Sequence, residues 1–402
     1  CGFQIVDEDY EESPNLVIVN SCTVTATAAR KTRQLLTSIR HKHPYAYIIL
    51  TGCAAEVDEE LKEDSDFDIL LTKAEKKNLE SILERRFNIQ HHDYKPSETV
   101  DETVFKEDAV AYFPFKSRAN LKIQEGCNNF CTYCIIPFAR GPVRSLPMDQ
   151  AVAQTRQLQA EGYRELVFTG IEISSWGQDL HNGTGLIDLM EAVSAGDMRL
   201  RLGSLEPRTI TEDFCRRAAA LPNLCPHFHL SLQSGCDATL HRMNRRYDTA
   251  RFRQSVDLLR RYFDHPAITT DVICGFPQET EEEFSATLAF LEECRFAAMH
   301  VFPYSIRPGT KAADMPQVPG PVKDERAARA GALAARLHRA YLEECVGRTY
   351  PVLFEQPAAG RYGGHAPNYM EVAVSGGEDL HNRVLPVRIT GTDGEILWGE
   401  LE

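Results

Sequence analysis

Short apolar runs alternate with helix-length amphipathic stretches through most of the chain, and that rhythm changes near its C-terminal end. Leu16-Val-Ile-Val19 and Ala46-Tyr-Ile-Ile-Leu50 are continuous apolar runs, the pattern of parallel strands buried on both faces. A helix-length stretch follows each, and Asp68-Ile-Leu-Leu71 reads as a third strand. Successive βα units predict a doubly wound α/β domain over residues 1–95. Residues 96–111 are polar and acidic without a period and read as a linker.

From 112 to 342 the pattern is more regular, with apolar runs at Leu121–Ile123, Leu166–Phe168, Leu200–Leu202, Phe228–Leu232, Ile268–Cys274 and Met299–Phe302. Helical segments such as Met148–Ala160, Leu186–Ala195, Glu212–Ala220, Thr249–Tyr262 and Glu281–Cys294 separate them. Six βα units with right-handed crossovers predict a partial TIM-like barrel with one side open to a large substrate. A Lys/Arg/Ala-rich helix over Asp324–Glu344 ends this region. Beyond it, Tyr350–Phe354, Met370–Val374, Val384–Ile389 and Ile396–Trp398 are short strands between Gly, Asp and Asn turns. They predict a small OB-like β-barrel over residues 343–402, so the fold class is multidomain α/β with three parts.

Composition narrows the chemistry. The 402 residues are 43% apolar, enough for real cores, and contain no run of about 18 apolar residues that could span a membrane. No leader is visible, although Cys1 rather than Met opens the sequence. Twelve cysteines in so long a chain point to metal ligands, reactive thiols or core residues in a reducing cytoplasm. The net charge of −14 argues against a non-specific nucleic-acid binder. Local basic patches remain, with Arg30, Lys31, Arg33, Arg40 and Lys42 on one helix and Arg242, Arg245, Arg246, Arg251 and Arg253 in another cluster; solvated helix faces explain each equally well.

The sharpest local signal is Gly126-Cys127-Asn-Asn-Phe-Cys131-Thr-Tyr-Cys134. Three thiolates on one loop can wrap a cubane iron–sulfur cluster and leave its fourth iron open to another ligand. Structural zinc prefers four ligands, and no second C-x-x-C pair accompanies Cys131 and Cys134. The triad follows the first barrel strand, on the face where βα loops assemble active sites.

This motif and its surroundings resemble the radical S-adenosylmethionine (SAM) superfamily, in which the open iron chelates SAM and an electron from the cluster cleaves it to a 5′-deoxyadenosyl radical. The resemblance implies that Tyr133 lies against the adenine and that Gly170 and Glu172, in Thr169-Gly170-Ile171-Glu172, contact the methionine amino group. Ser231 and Gln233, and Gly275 in Cys274-Gly275-Phe276-Pro277, are then expected to cradle ribose and adenine.

Cys22 and Cys53 directly follow the first two strands and would emerge on one edge of a parallel sheet, where ligands sit. Two buried cysteines are common without function, so this placement alone leaves a second cluster and inert packing equally open. Their contexts, Asn20-Ser-Cys22-Thr-Val-Thr25 and Thr51-Gly-Cys53-Ala54, resemble the N-terminal domain of the radical SAM methylthiotransferases. The barrel motif over residues 127–145, His229-Leu-Ser-Leu-Gln-Ser-Gly235, Met243-Asn-Arg245 and Phe302-Pro-Tyr-Ser305 match that family too. Gly364-His-Ala-Pro-Asn-Tyr369 marks the last barrel as similar to the family's RNA-binding TRAM domain. The resemblance implies two 4Fe-4S clusters and SAM as cofactors. It also implies a third cysteine ligand for the second cluster, expected upstream of Cys1 in a record that starts late. Gln278 stands where the family more often has Gly, so a different loop geometry is expected there.

The family inserts a methylthio group at an unactivated C–H bond, chemistry outside the reach of side-chain bases. Arg199-Leu-Arg-Leu-Gly-Ser-Leu-Glu-Pro207 resembles the branch acting on C2 of N6-threonylcarbamoyladenosine at position 37 of tRNA. The isopentenyladenosine branch and the branch modifying a ribosomal-protein aspartate are alternatives. A single-cluster radical SAM enzyme on a small molecule and a non-catalytic RNA-binding protein with a structural metal are further ones. Glu206, Arg144, Arg245, Asn368 and Tyr369 are candidate contacts to substrate or RNA. The expected partners are the tRNA anticodon stem-loop and a reductase or flavodoxin-like electron donor, with no membrane and a monomeric state.

Overall fold

The computed structural model describes residues 13–21, 26–58, 61, 66–72, 74–87, 117–194, 196–358, 361–376 and 379–402. Cys1, Cys22 and the expected linker 96–111 lie outside them. The chain divides into two compact units. The smaller gathers Cys1–Glu102, Tyr133–Gly141 and Ser305–Ala313; the larger holds the rest.

In the smaller unit β1 (Leu16–Ser21), β2 (Tyr47–Gly52) and β3 (Ile69–Leu71) form a parallel sheet in that order. Ile48 and Leu50 pack on one face with Val19 and Leu36, while Ile49 packs on the other with Leu71 and Leu83. Burial on both faces is why the central strand is apolar without alternation. Gly52 holds φ 99°, and a Cβ there would stand 2.3 Å from the Ser21 carbonyl oxygen, so only glycine lets β2 turn directly into the helix Cys53–Val57.

In the larger unit β4 (Arg118–Glu125), β6 (Glu165–Gly170) and β7 (Arg199–Leu202) run parallel, with the short antiparallel β5 (Arg144–Ser145) beside β4. β8 (His227–Gln233), β9 (Ala267–Cys274) and β10 (Ala298–Pro303) form a second parallel sheet. A bridge between Leu205 and Leu230 joins the two, giving six parallel strands in chain order. Among the described residues no pairing joins β10 to β4, so the barrel stays open, as the count of βα units predicts. Phe168, Leu202, Phe228, Leu230 and Leu232 pack outward under the helices. The alternate positions, such as His229, Ser231 and Gln233, are only half-buried and face the lumen.

The C-terminal strands β11 (Thr349–Ala358), β12 (Arg361–His365), β13 (Glu371–Ser375), β14 (Val384–Thr392) and β15 (Leu397–Leu401) close a barrel in the order β11-β12-β13-β15-β14. The long helix spans Gly320–Cys345, starting earlier than its Lys/Arg/Ala composition predicts because Pro321 suits a first helical turn. At the opposite end of the six-stranded sheet from the cysteine loop, the first residues of the strands carry charge. Glu165, fully buried, accepts from Arg201 Nε at 2.8 Å and pairs with Arg199 at 2.5 Å. The same guanidiniums donate to carbonyls of the C-terminal barrel, Arg199 to Pro351 at 2.9 Å and Arg201 to Pro367 at 2.9 Å. The Arg201 guanidinium also lies over the Tyr369 ring, 4.6 Å from its centre.

Candidate functional site

The loop after β4 carries Cys127 and Cys131, both half-buried, and hydrogen bonds to the turn after the helix Asp237–Arg242 anchor it. Thr132 donates through its amide to the Met243 carbonyl at 3.1 Å and through its hydroxyl to Arg242 at 2.9 Å. Asn244, at φ 59°, reaches back to the Phe130 carbonyl at 2.9 Å. Arg245 then turns inward, its Nη1 3.2 Å from Cys131 Sγ and its Nη2 3.2 Å from the Ser231 carbonyl. Arg245, a candidate contact to substrate or RNA, places a positive charge on a cluster-loop sulfur. Burial raises the Cys127 thiol pKa, with Glu172 and Cys131 adding to the rise, while the Asn129 amide and Arg245 oppose it. Tyr133 and Cys134, half-buried, belong to the smaller unit's segment Tyr133–Gly141.

Glu172 stands next to this loop. Its amide donates to the buried Gln124 side chain at 2.8 Å, and its carbonyl accepts from the Ser175 hydroxyl at 2.7 Å. Gly170 is required just before it, because a Cβ there would sit 2.8 Å from the Gln124 carbonyl oxygen. Burial and the neighbouring Glu206 push the Glu172 carboxyl up to about 7, against the lowering pull of Ser174 and Arg245. Its Oε1 is buried without a hydrogen-bond partner among the described residues. Such an atom asks for a cationic ligand, and an ammonium meets that need.

A cavity of about 260 Å³ opens here, lined by Asn128, Asn129, Glu172, Ser174, Glu206 and Arg208 among others. Glu206 is buried, its amide held by Ser174 Oγ at 2.9 Å and its carboxylate by Arg208 Nε at 2.9 Å. Ser231 and Gln233 lie on the lumen side of β8, and Gln233 adopts φ 68°. Gly275, at φ 70°, packs so closely on Lys323 that a Cβ would meet its Cγ at 2.5 Å.

The other candidates lie elsewhere. Arg144 is buried on β5 and donates to the Pro142 carbonyl at 3.1 Å. Asn368 is 1% exposed, and its amide donates to Tyr341 Oη at 3.2 Å inside the larger unit. That burial gives Asn368 a part in holding the barrel on the long helix rather than a surface for RNA. Tyr369 is 41% exposed at φ 69°, its ring stacked on His365.

In the smaller unit Cys53 is buried at the start of its helix, directly beyond β2. Ser21 Oγ accepts from the Ala54 amide at 3.2 Å and donates to the Thr51 carbonyl at 2.6 Å, which fixes the edge where Cys53 emerges. Arg140 Nε stands 3.0 Å from Cys53 Sγ. Motif reading assigns Arg140 no role, and its only signal is its place in the Ile-Ile-Pro-x-x-Arg-Gly run. Cys53 thus has the electropositive neighbour that a thiolate ligand needs. Its expected companion Cys22 is outside the described residues.

Comparison with known proteins matches residues 121–291 to the Radical SAM superfamily and residues 1–72 to Uncharacterized protein family UPF0004. Threonylcarbamoyladenosine tRNA methylthiotransferase MtaB of Bacillus subtilis (strain 168) is 34% identical over 95% of this chain and 86% of its own length. The MtaB of Chlamydia pneumoniae is 34% identical over 100% of this chain and 92% of its own. A tRNA-2-methylthio-N(6)-dimethylallyladenosine synthase of Chloroflexus aurantiacus is 31% identical over 96% of this chain and 84% of its own. Among solved structures, the radical SAM methyltransferase TsrM from Kitasatospora setae aligns with a TM-score of 0.55 at 16% identity, covering 88% of this chain and 67% of that one, a likeness of fold alone.

Proposed function

The chain belongs to the radical SAM methylthiotransferases, in the branch of the threonylcarbamoyladenosine tRNA enzymes, and from that premise we propose that it methylthiolates C2 of N6-threonylcarbamoyladenosine at position 37 of tRNA. The observation that carries this reading is a guanidinium on a sulfur of each cysteine set, Arg245 on Cys131 and Arg140 on Cys53. In each set a positive charge thus stands beside a sulfur that would be an anionic cluster ligand. Cys127, Cys131 and Cys134 would hold the SAM-binding 4Fe-4S cluster, and Cys53 with Cys22 and one further cysteine would hold the second. Bound there, SAM and the two clusters supply hydrogen abstraction from an unactivated carbon and the sulfur that replaces the hydrogen.

The chain's own residues do the rest. Glu172 offers its unpartnered Oε1 to the SAM ammonium, on a backbone that Gln124 and Ser175 hold in place. Tyr133, Ser231, Gln233 and Gly275 are assigned to its adenosine. Glu206, fixed by Ser174 and Arg208, faces the same cavity and is assigned to the nucleoside substrate. The barrel of residues 343–402 is assigned to RNA, with Tyr369 its exposed aromatic. The core is assigned to 112–342 and the second-cluster domain to 1–95. No helix among the described residues is long and apolar enough to cross a membrane. A cytoplasmic monomer served by a reductase or flavodoxin-like donor fits this chemistry.

The Ser204-Leu-Glu-Pro207 run just after β7 favours threonylcarbamoyladenosine over the dimethylallyl substrate in the Chloroflexus relative's name. Nucleoside mass spectrometry of tRNA from cells with and without the gene decides. The methylthio-threonylcarbamoyladenosine peak should vanish on deletion while its unmodified precursor rises. Loss of the methylthio-isopentenyl nucleoside instead would transfer the enzyme to the other branch.

A further inference from the structure

Three side chains on adjacent strands meet in the barrel lumen and have no part in the site described above. His229 on β8, Asp271 on β9 and His300 on β10 bring ligand atoms to within 4.8 Å of one another. The strand register explains the meeting. His229 pairs with Thr269, and His300 pairs with Asp271, two residues further along β9 on the same face. All three side chains therefore point off one side of the sheet. We propose that they form a binding site for a divalent transition-metal ion, separate from both cysteine sets.

The donor set is the first argument. Two imidazoles and one carboxylate with open positions beside them suit zinc, iron(II), manganese or nickel. Calcium and magnesium, which favour oxygen ligands, are poorly served. Orientation is the second. Thr269 Oγ1 lies 3.0 Å from His229 Nδ1 and 3.4 Å from His227 Nε2, so a hydroxyl engages the far nitrogen of the ring. With that oxygen accepting from Nδ1, the ring is oriented and Nε2 is left for the ion. Distance is the third. Around a tetrahedral ion with bonds of about 2.0–2.1 Å, neighbouring ligand atoms are about 3.3 Å apart. His229 Nε2 and Asp271 Oδ2 already stand 3.3 Å apart. His300 is exposed to the lumen, so a side-chain rotation brings it the remaining distance without moving a strand.

The test uses the full chain with its iron–sulfur clusters reconstituted anaerobically, then dialysed against buffered zinc(II) with iron and zinc counted separately. About one zinc per chain should bind beyond the cluster metal, with a zinc-edge absorption spectrum showing nitrogen and oxygen neighbours at about 2.0–2.2 Å and no sulfur. His300→Ala and Asp271→Asn should each weaken zinc at least tenfold while cluster iron stays at the wild-type level. Should Asp271→Asn fail to reconstitute, His300→Ala alone decides, since its side chain is exposed and its ring contact is with His229 alone among the described aromatic pairs. Equal zinc affinity in wild type and His300→Ala, sulfur in the zinc shell, or no zinc at tens of micromolar would each overturn the site.

Discussion

Among single residues, Glu172 shows most directly how a ligand site is set against stability. Its carboxyl sits at about 7 because burial and Glu206 both oppose its charge. A folded pKa raised above the unfolded value near 4.5 means that the folded state holds the extra proton between the two. Stability from this group is therefore greatest at and below pH 4.5, falls as pH rises toward 7, and is missing above that, a swing on the order of 3 kcal/mol. Glu172→Gln removes the charge and keeps the shape. It should raise the melting temperature at pH 8 and change little at pH 4.5, while weakening SAM tenfold or more by equilibrium binding. An unchanged melting curve at pH 8 would show that Glu172 carries no such penalty. Of the residues around it, Cys127 and Cys131 stand out in the sequence by their spacing, whereas Gly170 and Glu172 come only from the family resemblance. The sulfur contacts of the two guanidiniums do not show in the sequence. Arg245 meets a sulfur 114 residues away and Arg140 one 87 residues away, contacts that only the folded chain creates.

At the scale of elements, the six barrel strands and four of the five C-terminal strands stood out as apolar runs, but β12 did not. Arg361-Tyr-Gly-Gly-His365 has no alternating apolar face, and its glycines answer to crowding instead. A Cβ on Gly364 would lie 2.3 Å from the Leu353 carbonyl oxygen on the neighbouring strand. The loop after β9 shows the converse. Gln278, exposed, holds φ 63°, a left-handed conformation in a side-chain-bearing residue. The backbone there has the form that glycine adopts freely, and Gln278 carries the strain of adopting it. Left-handed backbone costs a residue with a Cβ about 1 kcal/mol, and the added freedom of glycine when unfolded returns part of it. Gln278→Gly should therefore raise stability by about 0.5 kcal/mol, read as a rise of about 1–2 °C in melting temperature. A fall would mean that the Gln278 side chain makes a stabilising contact.

For the larger unit as a whole, the controlling feature is the ion cluster at the first residues of the strands. Glu165 is held down to about 2 by Arg201, Arg199 and Arg118, which overcome its burial. A depressed carboxyl contributes its stability above the unfolded value near 4.5 and loses it as pH falls toward 2. Glu165→Ala leaves two buried guanidiniums without their counter-charge, a loss of about 3–5 kcal/mol. The same guanidiniums hold carbonyls of the C-terminal barrel, so the variant should also free that barrel, exposing the chain near residue 345 to limited proteolysis at pH 7.5. Wild-type resistance in Glu165→Ala would show that the barrel is held by its other contacts. Nothing in the run Arg199-Leu-Arg-Leu202 announced this, because alternating charge in a strand ordinarily means one face in water. Here the second face is covered by another fold, which composition alone does not reveal.

That anchoring has a mechanical corollary. Arg199 and Arg201 rivet the C-terminal barrel to the floor of the six-stranded sheet. Under the function proposed above, the part assigned to RNA and the loop of Cys127 and Cys131 therefore share one foundation, and loosening those rivets should disturb tRNA placement before it disturbs the cysteine loop.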